Sequence, residues 1–376
     1  MIAFLMPRRQ TLLALLLGAS LAASWPLLRA GDSVAREVPD YAEQNPFTLR
    51  EVGRFSEPWA IAFLPGTRLA LITERGGKLK LWQDGGAIRE VAGVPQVLHA
   101  GQGGLGDVVL APDFATSGMI YLTWAEAGAD GTAGAALGRA RLVLGDVPRF
   151  EGLQVIWRQT PKVTGRGHYG HRIAFSPDGR HLFVASGDRQ KMTPAQDPAS
   201  TLGKVIRMAP DGSGAEIWSL GHRNPLGLSF DPQGRLWDLE HGPRGGDELN
   251  LVERGKNYGW PLVSDGDHYD GRPIPRHATR ADLAAPAISW NPVIAPGGFI
   301  FCKCDQFPTW RGQVLIAAMG TQGLVRIAIE GTRARETERY NLETRIRAVA
   351  EREDGALFVL ADKEDGRLLQ LVPTKR

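Results

Sequence analysis

Apolar residues in this chain alternate over short runs, and the runs come in pairs around a tight turn. Ala60 to Leu64 leads through Pro65-Gly66 to Leu69–Thr73, and Val108 to Ala111 leads through Pro112-Asp113 to Ile120–Trp124. The order returns at Ile173 to Gly179 with His181–Ala185, at Leu228 to Gly234 with Leu236–Leu239, and at Ala348 to Gly355 with Ala356–Leu360. Alternation with a period of two, broken by Pro, Asp and Gly, predicts strand, turn, strand in each copy. A divergent copy runs from Gly298 through Phe307-Pro308 to Ile327. The turn prolines of the first four copies lie roughly 45 to 65 residues apart, the length of a four-stranded propeller blade with its loops. Six copies predict an all-β chain, a six-bladed β-propeller of four-stranded antiparallel blades. No segment holds a long 3.6-residue apolar period, and the 46 Gly and 25 Pro suit many short strands joined by turns.

Residues 45–376 are expected to form this single propeller domain, preceded by a linker over 31–44 and an export signal over 1–30. Arg8 and Arg9 make a positive start, and Thr11 to Ala23 is Leu- and Ala-rich. That core is shorter than the roughly 20 apolar residues a spanning helix needs, so export to the periplasm or medium is expected, with no membrane span in the mature chain. The Arg pair leaves twin-arginine export open, although Gln10-Thr11 fits that pattern poorly. The formal net charge is +3, and Arg8, Arg9 and Arg29 account for all of it. The remainder is neutral, with no bulk attraction to nucleic acid or anionic lipid.

Cys302 and Cys304 are the two cysteines. At i, i+2 they share one face of a strand, and two buried free thiols are the expectation, with a bridge between them as the alternative.

Four dense polar clusters fall just outside the expected strands, where a propeller gathers its functional loops. They are Gly101 to Asp107 (GQGGLGD), Gly167 to Arg172 (GHYGHR), Gly221 to Pro225 (GHRNP) and Glu240 to Glu248 (EHGPRGGDE). In this order they resemble the soluble aldose sugar and soluble glucose dehydrogenases that use pyrroloquinoline quinone (PQQ). The resemblance extends to Asn257-Tyr258-Gly259-Trp260-Pro261, to Trp290 with Ile294-Ala295-Pro296, to Phe307-Pro308 with Trp310-Arg311-Gly312, and to Arg345-Ile346-Arg347. It covers roughly residues 45–372.

The resemblance implies oxidation of an aldose at C1 to the lactone, with hydride passing to the quinone and a base taking the hydroxyl proton. His168 matches that base, suited to it as a neutral imidazole, and Asp188 matches the carboxylate that orients the ring. Arg223 matches the cation beside the reactive quinone carbonyl. Asn224, Gln102, Arg345 and Arg347 match further cofactor contacts, the two Arg facing one way across Ile346 to bind PQQ carboxylates. The carbonyls of Gly242 and Pro243 match ligands of a Ca²⁺ that also touches PQQ. Asp247, Glu248 and Tyr258 resemble a second, structural calcium site, or Asp247 and Glu248 simply cap a turn.

Three departures bear on cofactor affinity. Gly320 aligns with a Lys that holds a PQQ carboxylate in relatives, Gly167 stands where Asn or Asp is common, and His171 replaces a Gly. No Cys-Xaa-Xaa-Cys-His motif occurs, so electrons are expected to leave to a separate acceptor. No dinucleotide fingerprint sits between a strand and a helix, which argues against NAD or FAD. A calcium-dependent lactonase and a non-catalytic binding propeller are the alternative functions.

Overall fold

The computed structural model describes residues 45–374; the export signal and linker expected over residues 1–44 lie outside the described residues. The six paired repeats are the first two strands of six four-stranded antiparallel sheets, as the alternation predicts. The first blade is Pro58–Phe63, Leu69–Glu74, Lys78–Gln83 and Ile88–Glu90, and the second starts at Leu105–Leu110. The third starts at Gly170–Phe175, the fourth at Pro225–Phe230 and the fifth at Pro296–Phe301. The sixth begins with Ile346–Glu351, Leu357–Ala361 and Asp365–Pro373, and takes its outer strand from the opposite end of the chain, Phe47–Ser56. That pairing closes the ring and hides an otherwise open sheet edge. The chain is therefore a six-bladed β-propeller.

First strands of neighbouring blades pack against one another all the way round, so they line the central axis. Between blades lie layers of Leu, Val, Ile, Phe and Trp, such as Trp124 with Leu71 and Leu81, or Trp237 with Phe299 and Ile316. Arg172 ties the ring together across the axis. Its guanidinium donates to Asp107 of the second blade at 3.1 Å and to the Leu226 and Gly297 carbonyls of the fourth and fifth at 2.6 Å each, and lies 4.0 Å over Trp59 of the first.

Each of the six first strands slips register near its start: between Pro58 and Ala60, Leu105 and Val108, Gly170 and Ile173, Pro225 and Gly227, Pro296 and Gly298, and Ile346 and Ala348. A bulge inserts an extra residue and re-aims side chains. Six of them at one end of the channel turn Trp59, His171, Leu226 and Arg347 into a common cavity.

Cys302 and Cys304 are joined as a disulfide, which corrects the expectation of two free thiols. Both are buried, and the i, i+2 spacing at the strand end brings the sulfurs together.

Candidate active site

The cavity at the bulged end measures about 360 Å³ and is lined by Gln102, His168, Arg223, Asn224, Arg345 and Arg347 together. These six come from four blades and from loops far apart in sequence. Asp188 lies directly behind His168.

His168 follows the second blade in a left-handed backbone conformation, φ 49°. Its ring stays in place because Gln102 Oε1 accepts the His168 backbone N–H at 2.8 Å and Asp188 Oδ1 lies 2.7 Å from Nδ1. Gly187 permits the approach, since a Cβ there would collide with the His168 carbonyl. Burial would raise the pKa of Asp188, but hydrogen bonds from His168, Trp260 and the Gln190 amide hold it below the usual carboxylate range. An ionised carboxylate only accepts, so Nδ1 carries the proton and Nε2 is left as a free base. Burial foremost, with the nearby Arg223 and Arg189 charges, holds the His168 pKa below its ordinary value despite Asp188. The imidazole is neutral at neutral pH.

Arg223, one of the two guanidinium charges near His168, lines the cavity beside it. Its guanidinium donates to the His241 carbonyl at 3.0 Å and to the Tyr269 hydroxyl at 3.1 Å, and its Nε has no partner among the described residues. The loop that carries it is clamped from below: Glu240 Oε2 accepts the backbone N–H groups of Arg223 at 2.6 Å and Asn224 at 3.2 Å. Behind Glu240, His222 Nδ1 lies 3.1 Å from Glu240 and 2.8 Å from Asp238, all three buried. Burial works against a charge on His222, but the two carboxylates outweigh it and push the pKa up to about 10. This group has the donor atoms of a metal site.

Arg345, just before the strand, and Arg347, at its bulge, both line the cavity. Both reach Asp362, Arg345 on one carboxylate oxygen at 2.8 Å and Arg347 on the other at 2.6 Å. Asp362 is the carboxylate of the cavity lining, among Arg75, Arg223, Arg345 and Arg347, so the cavity is cationic and suits a polyanion. Arg345 also touches Met319 Sδ at 3.3 Å.

The departure assigned to Gly320 needs correction. Gly320 faces backbone, and a Cβ on it would lie 2.8 Å from the Ile294 carbonyl oxygen. Met319 is the residue that lines the cavity there. It is the first residue past the second strand of its blade, like Arg75, His241 and Asp362, which also line the cavity. A lysine could not simply replace Gly320. His171, another of the three departures, fills a buried position between Tyr169, stacked at 5.4 Å, and Trp59, edge-on at 5.9 Å, and burial pushes its pKa down to about 3.

Calcium ligands were expected at two places. The Gly242 and Pro243 carbonyls accept no hydrogen bond among the described residues, and both residues border a cavity of about 10 Å³, close to the space of one water or ion. Unengaged hard oxygens beside such a space fit Ca²⁺. Of the second set, Glu248 and Tyr258 border that same small space, whereas Asp247 does not. Asp247 spends its carboxylate on the backbone N–H groups of Gly242, Ile294 and Ala295, at 2.7 to 2.9 Å. Glu248 pairs with His277 at 3.0 Å, and the Tyr258 hydroxyl is bonded to the backbone of Leu251 and Glu253. Asp247 is a loop clamp, nearer to the turn-capping alternative.

Trp260, Tyr269, Met319 and Asp362 were not singled out by role from the sequence. Trp260 donates to Asp188 at 2.8 Å and lies beneath Arg223, 5.3 Å away. The position just beyond each second strand is the signal that would have found Met319 and Asp362.

Residues 55–370 match the family described as Glucose / Sorbosone dehydrogenase. The chain belongs to this family. Aldose sugar dehydrogenase YliI of Escherichia coli is 40% identical over 341 residues, 85% of this chain and 91% of that protein. Among solved structures, the soluble aldose sugar dehydrogenase of Escherichia coli in its apo form is 39% identical at a TM-score of 0.82, covering 87% of this chain and 99% of its own. The PQQ-bound form of aldose sugar dehydrogenase from Streptomyces coelicolor is 27% identical at 0.74, covering 86% and 98%. Membership in the glucose/sorbosone dehydrogenase family makes the chain an oxidoreductase of the sugar dehydrogenase type and weighs against the lactonase alternative. No described helix is long and apolar enough to cross a membrane.

Proposed function

We propose that this chain oxidises aldoses at C1 to lactones, depends on PQQ and Ca²⁺, and uses His168 as the base. The observation that supports this most is the buried His168–Asp188 pair opening, with Arg223 beside it, on a cationic cavity that also gathers Gln102, Asn224, Arg345 and Arg347. PQQ, when bound, supplies the electrophilic carbonyl that takes the hydride, and Ca²⁺ at the Gly242 and Pro243 carbonyls would make it more electrophilic.

The chain's own residues then have distinct tasks. His168 Nε2 accepts the proton of the anomeric hydroxyl, and Asp188 holds the tautomer and stabilises the imidazolium that results. Arg223 offers a fixed positive charge where negative charge develops, and Glu240 holds its loop so that little reorganisation is needed. Arg345 and Arg347, kept in line by Asp362, bind carboxylates of the cofactor. Electrons leave to a separate acceptor, and the enzyme works outside the cytoplasm after removal of residues 1–30.

His168→Gln tests this reading. It should leave PQQ binding nearly intact and lower turnover on the order of 10²–10⁴-fold, the range of a lost general base. Lost cofactor binding with normal turnover per bound quinone would put the base elsewhere.

A further inference from the structure

Most large aromatic side chains of this chain are buried, and Tyr269 is an exception at 72% exposure. It sits on the excursion that the fourth blade makes between its third strand, Asp247–Val252, and its fourth, Ile288–Trp290. This excursion is held in place rather than loose. Gly266-Asp267 pairs with Arg244-Gly245 of the calcium-type loop, Arg276 donates to the Ser264 carbonyl at 3.1 Å and to Asp267 at 2.8 Å, and the turn closes by His268 N–H to Arg272 O at 2.9 Å. A strap pinned to the Arg244-Gly245 loop and braced by its own internal bonds thus keeps an aromatic ring in water.

The ring is also directed. It lines the 360 Å³ cavity, its hydroxyl accepts from Arg223 Nη2 at 3.1 Å, and its centroid lies 5.8 Å from the guanidinium carbon. Exposed aromatic area without a partner is unfavourable in water, and rigid rings with a polar tip recur where one face must bind a ligand. A pyranose offers the matching chemistry: a C–H face for the ring and hydroxyls around it for solvent and Arg223.

Resting on the proposed sugar oxidation, we infer that Tyr269 is the stacking platform for the substrate, setting the preference of the site for aldopyranoses over thin, open-chain aldoses and polyols. The hydroxyl keeps the ring at the mouth by its bond to Arg223, while the ring face binds sugar. The residue touches substrate and takes no proton.

The test uses PQQ- and Ca²⁺-loaded wild type, Tyr269→Ala and Tyr269→Phe, with glucose as substrate and methyl glucoside, which has no free anomeric hydroxyl, as a binding probe. Tyr269→Ala should raise KM for glucose about three- to tenfold, the worth of one stacking contact, with a smaller change in kcat. Saturation-transfer NMR should show the C–H protons of methyl glucoside contacting wild type and Tyr269→Phe, and lose that signal in Tyr269→Ala. Tyr269→Phe should keep KM near wild type and lower kcat modestly through Arg223. Equal kcat losses in both variants at unchanged KM and unchanged methyl glucoside signal would mean that Tyr269 merely positions Arg223, and would overturn the inference. If loaded wild type oxidises no aldose, the proposed function itself fails, a result distinguishable from an active wild type with an indifferent Tyr269→Ala.

Discussion

Asp188→Asn is the most informative single change, because every partner of the carboxylate is an N–H donor. Oδ1 receives His168 Nδ1 at 2.7 Å and the Gln190 N–H at 2.8 Å; Oδ2 receives Trp260 Nε1 at 2.8 Å and the Met192 N–H at 3.2 Å. A carboxamide must turn its NH₂ toward one of these pairs. Trp260 and the two amides can only donate, whereas His168 can move its proton to Nε2 and accept at Nδ1. The variant therefore settles with NH₂ toward His168, which leaves Nε2 protonated and unable to act as base. Turnover should fall roughly 10²–10⁴-fold, as for outright loss of the base. Losing a hydrogen bond to a charged group should also cost about 1.5–3 kcal/mol of stability. The assay is kcat at saturating PQQ, Ca²⁺ and aldose, alongside a denaturant titration and a PQQ titration. PQQ affinity should stay within a few-fold of wild type. Turnover within tenfold of wild type would refute the assignment of tautomer and base.

Other consequences follow from the same geometry. Because burial and the Arg charges hold His168 below its ordinary pKa, and the base must be neutral, the acid limb of kcat should be centred below pH 6.5; a limb centred above 6.5 would contradict the placement. Arg347→Ala should weaken PQQ binding about ten- to a hundredfold, the worth of one charge-assisted contact of about 1.5–3 kcal/mol, as read by cofactor titration at fixed Ca²⁺. Gly320→Lys should lower stability by about 1–3 kcal/mol through its collision with Ile294 and leave PQQ affinity no tighter, checked by denaturant melts and the same titration. Arg172→Met should destabilise by roughly 3–5 kcal/mol, since it strands the buried Asp107 carboxylate.

The propeller was legible because each blade repeats the same alternation and turn, and local pattern decides strand and turn without knowledge of distant partners. Closure by Phe47–Ser56 was not, since pairing across the whole chain leaves no local mark. His168, Arg223 and Asn224 could be named from ordered motifs, because chemistry fixes residue types within a loop. Asp362 and Tyr269 escaped for the opposite reason. Asp362 meets Arg345 and Arg347 only because adjacent strands of the sixth blade end side by side, and Tyr269 reaches Arg223 only because a strap folds back. The Gly320 expectation failed by one residue: the chain past a second strand turns immediately, so Met319 faces the cavity and its neighbour faces backbone. For the cysteines, spacing alone left both outcomes open.

The central claim is that this cavity binds PQQ and transfers hydride from sugar to it. Its most direct measurement is an anaerobic single turnover: purified protein loaded with PQQ and Ca²⁺, without an electron acceptor, mixed with excess glucose while the quinone absorbance is followed. The account predicts loss of the quinone spectrum to an extent equal to the bound PQQ, with one lactone formed per quinone, and the same loss slowed at least a hundredfold in His168→Gln. PQQ that fails to bind, or that binds and keeps its quinone spectrum in the presence of every aldose tried, would contradict it.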